Sequence, residues 1–147
     1  MVAPAALRSK LVQAKQATDL HTATLSQIAV YEVIKDGFLD SHIPTIRALY
    51  REQCTAMLNA LSRFMPEDVR WNTPRGGMFL WAELPRGMDA EALLVKAVAQ
   101  NVAYVPGAPF FAASPVVESL RLAFVTVPPA RIVEGVERLA GLIRANR

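Results

Sequence analysis

The sequence predicts an α+β fold: a small, mainly antiparallel sheet with helices packed on it, preceded by a long interdomain helix. Three observations carry this expectation. From 43 to about 65, Ile46, Leu49, Tyr50, Met57, Leu61 and Phe64 recur at helical spacing, with Arg47, Arg51, Glu52, Asn59 and Arg63 on the other side. Beyond Pro66 the apolar runs become short and are punctuated by Pro and Gly, as strands are. The chain then closes on an amphipathic stretch, 128–145, with Ile132, Val133, Val136, Leu139, Ala140 and Ile143 on one face. Strands and helices in such an order make a small sheet covered by helices.

The composition admits one packed core. The chain has 147 residues, 52% of them apolar and 20% charged, which argues against disorder. No apolar run approaches the roughly 20 residues of a membrane span, and the first ten residues hold no signal-peptide core. The single cysteine, Cys54, excludes an internal disulfide and a cysteine-based metal site, and fits a reducing cytoplasm. The net charge is +3, and the basic residues are interspersed with acidic ones. Without a basic stripe or recognition motif, nucleic-acid binding is not expected. No internal repeat or low-complexity segment occurs.

In chain order, residues 4–18 carry Leu7, Leu11 and Ala14 at helical spacing. The hydroxyl-rich string DLHTATLSQ breaks this helix and offers Thr22 or Thr24 as the next N-cap. Residues 25–34 form a second helix, ended by Asp36-Gly37. The long helix, 43–65, would be a rod of roughly 30 Å at about 1.5 Å per residue, a length suited to tying two domains together. Residues 69–72 and 78–84 are expected as strands joined by the turn TPRGG, the second apolar on both faces and so covered on both. Asp89 caps a short helix bearing Leu93, Leu94, Ala97 and Val98; 102–105 and 119–125 are the last strands. Pro128 opens the closing helix.

Few residues offer chemistry. No glycine-rich phosphate loop, CxxC, HxxxH or GxSxG is present, His21 and His42 stand alone, and no metal ligand set is expected. Cys54 reads as a packing residue on the long helix. Arg121 stands apart. In SLRLAFV, Leu120, Leu122 and Phe124 face one way and Ser119, Arg121, Ala123 and Val125 the other. An arginine on such a face either lies at an exposed edge over apolar surface or is aimed at an anion, whose carboxylate its planar fork would match. The glycines of TPRGGMFLW mark a tight turn, or a backbone that a ligand can approach. VPGAPFF is a plain loop with two buried aromatics, or a hydrophobic pocket wall.

Taken together, TPRGGMFLWAELP, VAYVPGAPFF, LRLAF and the closing helix resemble, in that order, the C-terminal small domain of class I/II aminotransferases of fold type I. KLVQAKQATDLHTATLSQ resembles the segment after the lysine region in the branch of 2-aminoadipate and kynurenine aminotransferases, and in MocR-type transcription regulators. The resemblance spans essentially the whole chain. It implies pyridoxal 5'-phosphate carried on a lysine, amino acid and 2-oxo acid substrates, and a homodimer. It implies that Arg121 binds the substrate α-carboxylate, that Gly76, Gly77 and Phe79 approach the substrate side chain, and that Thr22 and Thr24 approach the dimer interface and the partner's cofactor. Residues 1–24 would then be a remnant of the large cofactor-binding domain and 25–147 the small domain. The family's Ser-x-Ser-Lys motif has no counterpart among Lys10, Lys15, Lys35 and Lys96. No cofactor is therefore expected on this chain covalently, which should be inactive alone. The alternative is the effector-sensing domain of a MocR-type regulator.

Overall fold

A computed structural model describes residues 3–147. The chain divides between Thr45 and Ile46 into two compact units.

In the first unit, α1 spans Ala5–Asp19 and α2 spans Thr24–Ile34, and α3, Phe38–Phe64, begins here. The N-cap of α2 is Ala23, with no side-chain cap, so neither Thr22 nor Thr24 caps it as expected. Thr24 is already helical, and the carbonyl of Thr22 instead accepts from Gln27 Nε2 at 3.0 Å. Gly37, at φ +80°, makes the turn that Asp36-Gly37 announced. The third helix then starts at Phe38, five residues before the expected Ile43, and carries Pro44 inside it. Proline gives up one amide bond there, and with its 27 residues α3 is about 40 Å long. No residue of α1 or α2 is buried. Leu20, Leu25 and Tyr31 expose 73, 80 and 61% of their surface, so the apolar faces of these helices have no cover within their unit.

The second unit is a four-stranded sheet with helices on one face. The strands are β1 (Arg70–Trp71), β2 (Phe79–Glu83), β3 (Val105–Pro106) and β4 (Ser119–Ala123), in the order β1-β2-β4-β3 with every pair antiparallel. Leu80, Ala82, Leu120 and Leu122 share one face because β2 and β4 are in register, Leu80 opposite Leu122 and Ala82 opposite Leu120. That face joins Met57, Ala60 and Leu61 of α3, Leu93 and Ala97 of α4 (Ala90–Ala99), and Ile132, Val136, Leu139 and Ile143 of α5 (Pro129–Ala145) in one buried core. Each large apolar side chain so buried contributes about 1.5–3 kcal/mol. Asp89 caps α4 as expected, Oδ1 accepting from the amides of Glu91 and Ala92.

Two expectations change. The third strand is shorter and later than 102–105: only Val105 and Pro106 pair, because the Val102 amide bonds to Ala97 O and Tyr104 is drawn into the core, its hydroxyl donating to Ala90 O at 2.8 Å. Pro106 is tolerated because β3 is an edge strand. The second correction concerns β2, expected to be covered on both faces. Leu80 and Ala82 are buried, but Phe79 on the other face is 39% exposed and Trp81 half-buried. On that face Trp81 meets Gly107, Phe110 of the 3-10 turn Ala108–Phe110, and Phe111.

Candidate functional site

The open face of the sheet carries the site. The fourth strand is interior, flanked by β2 and β3, so Arg121 is not an edge residue. Its cross-strand neighbours are Trp81 on β2 and Val105 on β3, while Phe79 lies diagonally across from it, opposite Ala123. Arg121 extends over the Phe79 ring, with Cζ 4.1 Å from the centroid, and reaches the Phe110 ring at 5.0 Å. Its Nε is buried and has no hydrogen-bond partner among the described residues. The ion pairs found among those residues (Lys15–Asp19, Lys35–Glu32, Arg131–Glu134, Arg138–Glu134 and Arg147–Asp68) leave it out. With Nε buried, the two Nη groups are what remains for an anion, and a guanidinium fork can meet a carboxylate in two parallel hydrogen bonds.

A second feature brings the aromatic turn close enough to matter. Gly107 donates its amide to Ser119 O at 2.7 Å. A Cβ on Gly107 would stand 2.1 Å from Ser119 Oγ and 2.7 Å from two atoms of the Trp81 ring. Only glycine lets the backbone lie this near the sheet. The turn then lays Phe110 and Phe111 against Trp81, with ring centroids 5.8 and 6.2 Å apart in edge contacts. Phe110 and Phe111 remain 53 and 37% exposed, so VPGAPFF is not a loop with two buried aromatics. Sequence reading picked out that loop without singling out Phe110, Trp81 or Gly107, because the pairing register brings them to Arg121.

Gly76 and Gly77 lie at the end of the β1–β2 connection. They line a cavity of about 810 Å³ together with Arg47, Tyr50, Arg51, Cys54 and Phe124. Burial pushes the Cys54 thiol up, away from the thiolate form. Gly77 needs glycine for its φ of +81°, whereas a Cβ on Gly76 would meet nothing within 4 Å. Packing inside this chain therefore gives no reason for glycine at 76. Phe79 joins Arg121 directly; Gly76 and Gly77 border the cavity instead. Thr22 and Thr24 belong to the first unit and are exposed.

Known proteins share this fold. The chain is 50% identical over 135 residues to aromatic-amino-acid aminotransferase 1 of Thermococcus litoralis, covering 92% of this chain and 32% of the relative. It superposes on the crystal structure of LysN, the α-aminoadipate aminotransferase of Thermus thermophilus, with a TM-score of 0.82 and 46% identity over 98% of this chain and 37% of that one. It matches the C-terminal portion of pyridoxal-phosphate-dependent aminotransferases. The chain spans about a third of the length of these relatives. A more distant likeness, 26% identity over 101 residues, links this C-terminal aminotransferase region to the transcriptional regulator NorG of Staphylococcus aureus. No family model matches the chain. No described helix is long and apolar enough to cross a membrane.

Proposed function

We propose that this chain supplies the substrate-carboxylate arm of an aminotransferase that moves an amino group between an amino acid and a 2-oxo acid. The observation that carries the reading is Arg121, interior on the sheet, resting on Phe79, with a buried, unpartnered Nε and no acidic partner among the described residues. A guanidinium held this way is already partly desolvated, so an incoming carboxylate gains a strong, directional pair. The Thermus relative was crystallised with N-(5'-phosphopyridoxyl)-L-leucine, whose leucyl carboxylate is the kind of group Arg121 would take. Phe79 would border the substrate side chain, and the open backbone at Gly76 and Gly77 would let the rest of the enzyme or its ligand come close.

The described residues fit the carboxylate end of a substrate and do not fit the cofactor. Lys15 pairs with Asp19, Lys35 with Glu32, and Lys96 bonds Asn146, all at the surface, and no lysine lines the cavity at Gly76. Pyridoxal phosphate, bound by the full-length protein, would supply the electron sink for the proton shift. This chain's part is to bind and orient the carboxylate and to keep water from one side of it with Phe79. Alone it should neither transaminate nor yield a borohydride-trapped lysine when mixed with the cofactor; a labelled lysine peptide would contradict this.

The uncovered apolar faces of α1 and α2 support a homodimer of the full-length protein, with Thr22 and Thr24 near its interface. The assignment of residues 1–24 to the large domain and 25–147 to the small one rests on the resemblance alone, since the compact units divide between Thr45 and Ile46. The lone cysteine supports a cytoplasmic location. In a full-length enzyme containing this chain, Arg121→Ala should reduce kcat/KM by an amount worth about 2–5 kcal/mol, the range for leaving a buried charge unpaired. An unchanged kcat/KM would remove Arg121 from the site. The likeness to NorG keeps a second reading, an effector-sensing domain of a MocR-type regulator. A winged-helix segment encoded upstream of this chain would decide for it.

A further inference from the structure

We infer that Phe110 is a positioning residue for Arg121, a second aromatic surface that fixes the plane of the guanidinium so that its two Nη groups face outward. The inference rests on the carboxylate role given to Arg121 and adds the group that orients it. Three observations lead there. Arg121 lacks the usual means of holding an arginine in place, since Nε is buried without a partner and no acidic side chain pairs with it among the described residues. What does touch the head group is aromatic: Phe79 at 4.1 Å and Phe110 at 5.0 Å from Cζ. Phe110 is also poorly explained by core packing, because 53% of its surface is exposed.

The position of Phe110 is nevertheless well determined. Its amide donates to Gly107 O at 2.9 Å, closing the 3-10 turn. Its ring meets Trp81 edge-on at 5.8 Å and 81°, and Trp81 is the residue directly opposite Arg121 in the β2–β4 register. Gly107, pressed against both Trp81 and Ser119, anchors the start of the turn to the strand that carries Arg121. The backbone of β4 thus holds the arginine from below while the same strand, through Gly107, locates the ring above its neighbour. An arginine whose plane is set in advance loses less rotational freedom when it pairs with a carboxylate.

The test uses a full-length enzyme containing this chain, labelled with ¹⁵N-arginine, with the Arg121 Nε–Hε signal assigned by its loss in Arg121→Lys. The signal is followed during titration with 2-oxoglutarate, against sodium chloride at matched ionic strength. In the wild type the Hε resonance should be ring-shifted and should move with 2-oxoglutarate but not with chloride. Phe110→Leu keeps apolar bulk and removes the ring; it should lose much of the ring shift and weaken binding about 3- to 10-fold, the loss expected for one cation–π contact. Phe110→Tyr should restore both, which a merely space-filling role would not require. Phe110→Met serves as the ring-free variant if the leucine form does not fold. A ring-free variant that folds and binds within about twofold of wild type, less than one cation–π contact is worth, overturns the inference while leaving Arg121 as the carboxylate ligand. A wild-type signal indifferent to 2-oxoglutarate overturns the carboxylate reading itself, and the positioning role with it.

Discussion

Gly107→Ala should strongly destabilise the second unit, and the reason is entirely steric. The φ of Gly107 is −83°, which any residue adopts, so the backbone itself does not require glycine. In open space the change would stabilise by about 0.4–1 kcal/mol through the unfolded chain. Here the new methyl would lie 2.1 Å from Ser119 Oγ and 2.7 Å from the Trp81 ring, overlaps of about 1 Å. Neither neighbour can easily yield. Ser119 is 1% exposed and its hydroxyl donates to Val116 O at 2.6 Å, while Trp81 is hemmed in by Phe110 and Phe111. The turn must move instead, giving up the amide bond from Gly107 to Ser119 O. Overpacking at about 1–3 kcal/mol and a lost hydrogen bond at about 1 kcal/mol sum to about 2–4 kcal/mol. That is a large share of a typical domain's stability of about 5–15 kcal/mol. Urea unfolding followed by tryptophan fluorescence measures it. The double variant Gly107→Ala/Ser119→Ala should cost at least about 1 kcal/mol less than the two single changes added, since removing Oγ relieves part of the overlap. A Gly107→Ala loss below about 0.5 kcal/mol, short of the overpacking range, would refute the close approach.

Two further outcomes follow from the same unit. Gly141→Ala, in α5 where a Cβ meets nothing within 4 Å, should stabilise by about 0.5–1 kcal/mol, checked by the same urea midpoint. Burial first, and the Asp89 carboxylate second, push the Tyr104 phenol up from its ordinary value. A raised folded-state value means that its contribution is complete below about pH 10, where the unfolded phenol titrates, and is lost as pH rises beyond it. Tyr104→Phe should therefore be less stable than wild type by about 1 kcal/mol at pH 7, through the lost bond to Ala90 O, with the gap narrowing above about pH 10. A gap that widens with pH in paired unfolding curves would contradict the burial of a neutral phenol.

The sequence makes the face of Arg121 legible because strand period is two: SLRLAFV alone separates Leu120 and Leu122 from Arg121, and β4 keeps that separation. It cannot tell which strand lies opposite, and hence that Trp81 and Phe79 would meet the arginine; pairing is a long-range choice. The same limit hid Phe110, which reaches the site only because Gly107 fits against Ser119. Local chemistry was legible at Asp89 and at Asp36-Gly37, where one side chain or one positive φ decides the outcome. It misled at the start of the long helix, expected at Ile43 but set at Phe38, where the missing amide of Pro44 weighs less than the helical turns on either side of it, and at Thr22 and Thr24, where Gln27 turns back to the Thr22 carbonyl. The apolar positions of α1 and α2 signal helices, but exposed as they are in this chain they do not say which surface covers them.

The carboxylate role of Arg121 is tested most directly by comparing amino acids with the amines that lack only the α-carboxylate, in a full-length enzyme containing this chain. The ratio of the two kcat/KM values is measured for wild type and for Arg121→Ala. If Arg121 holds the carboxylate, the wild type prefers the amino acid and the variant loses about 30- to 5,000-fold of that preference, equivalent to about 2–5 kcal/mol, with the amine's own kcat/KM nearly unchanged. A preference that survives the substitution intact would show that another group binds the carboxylate.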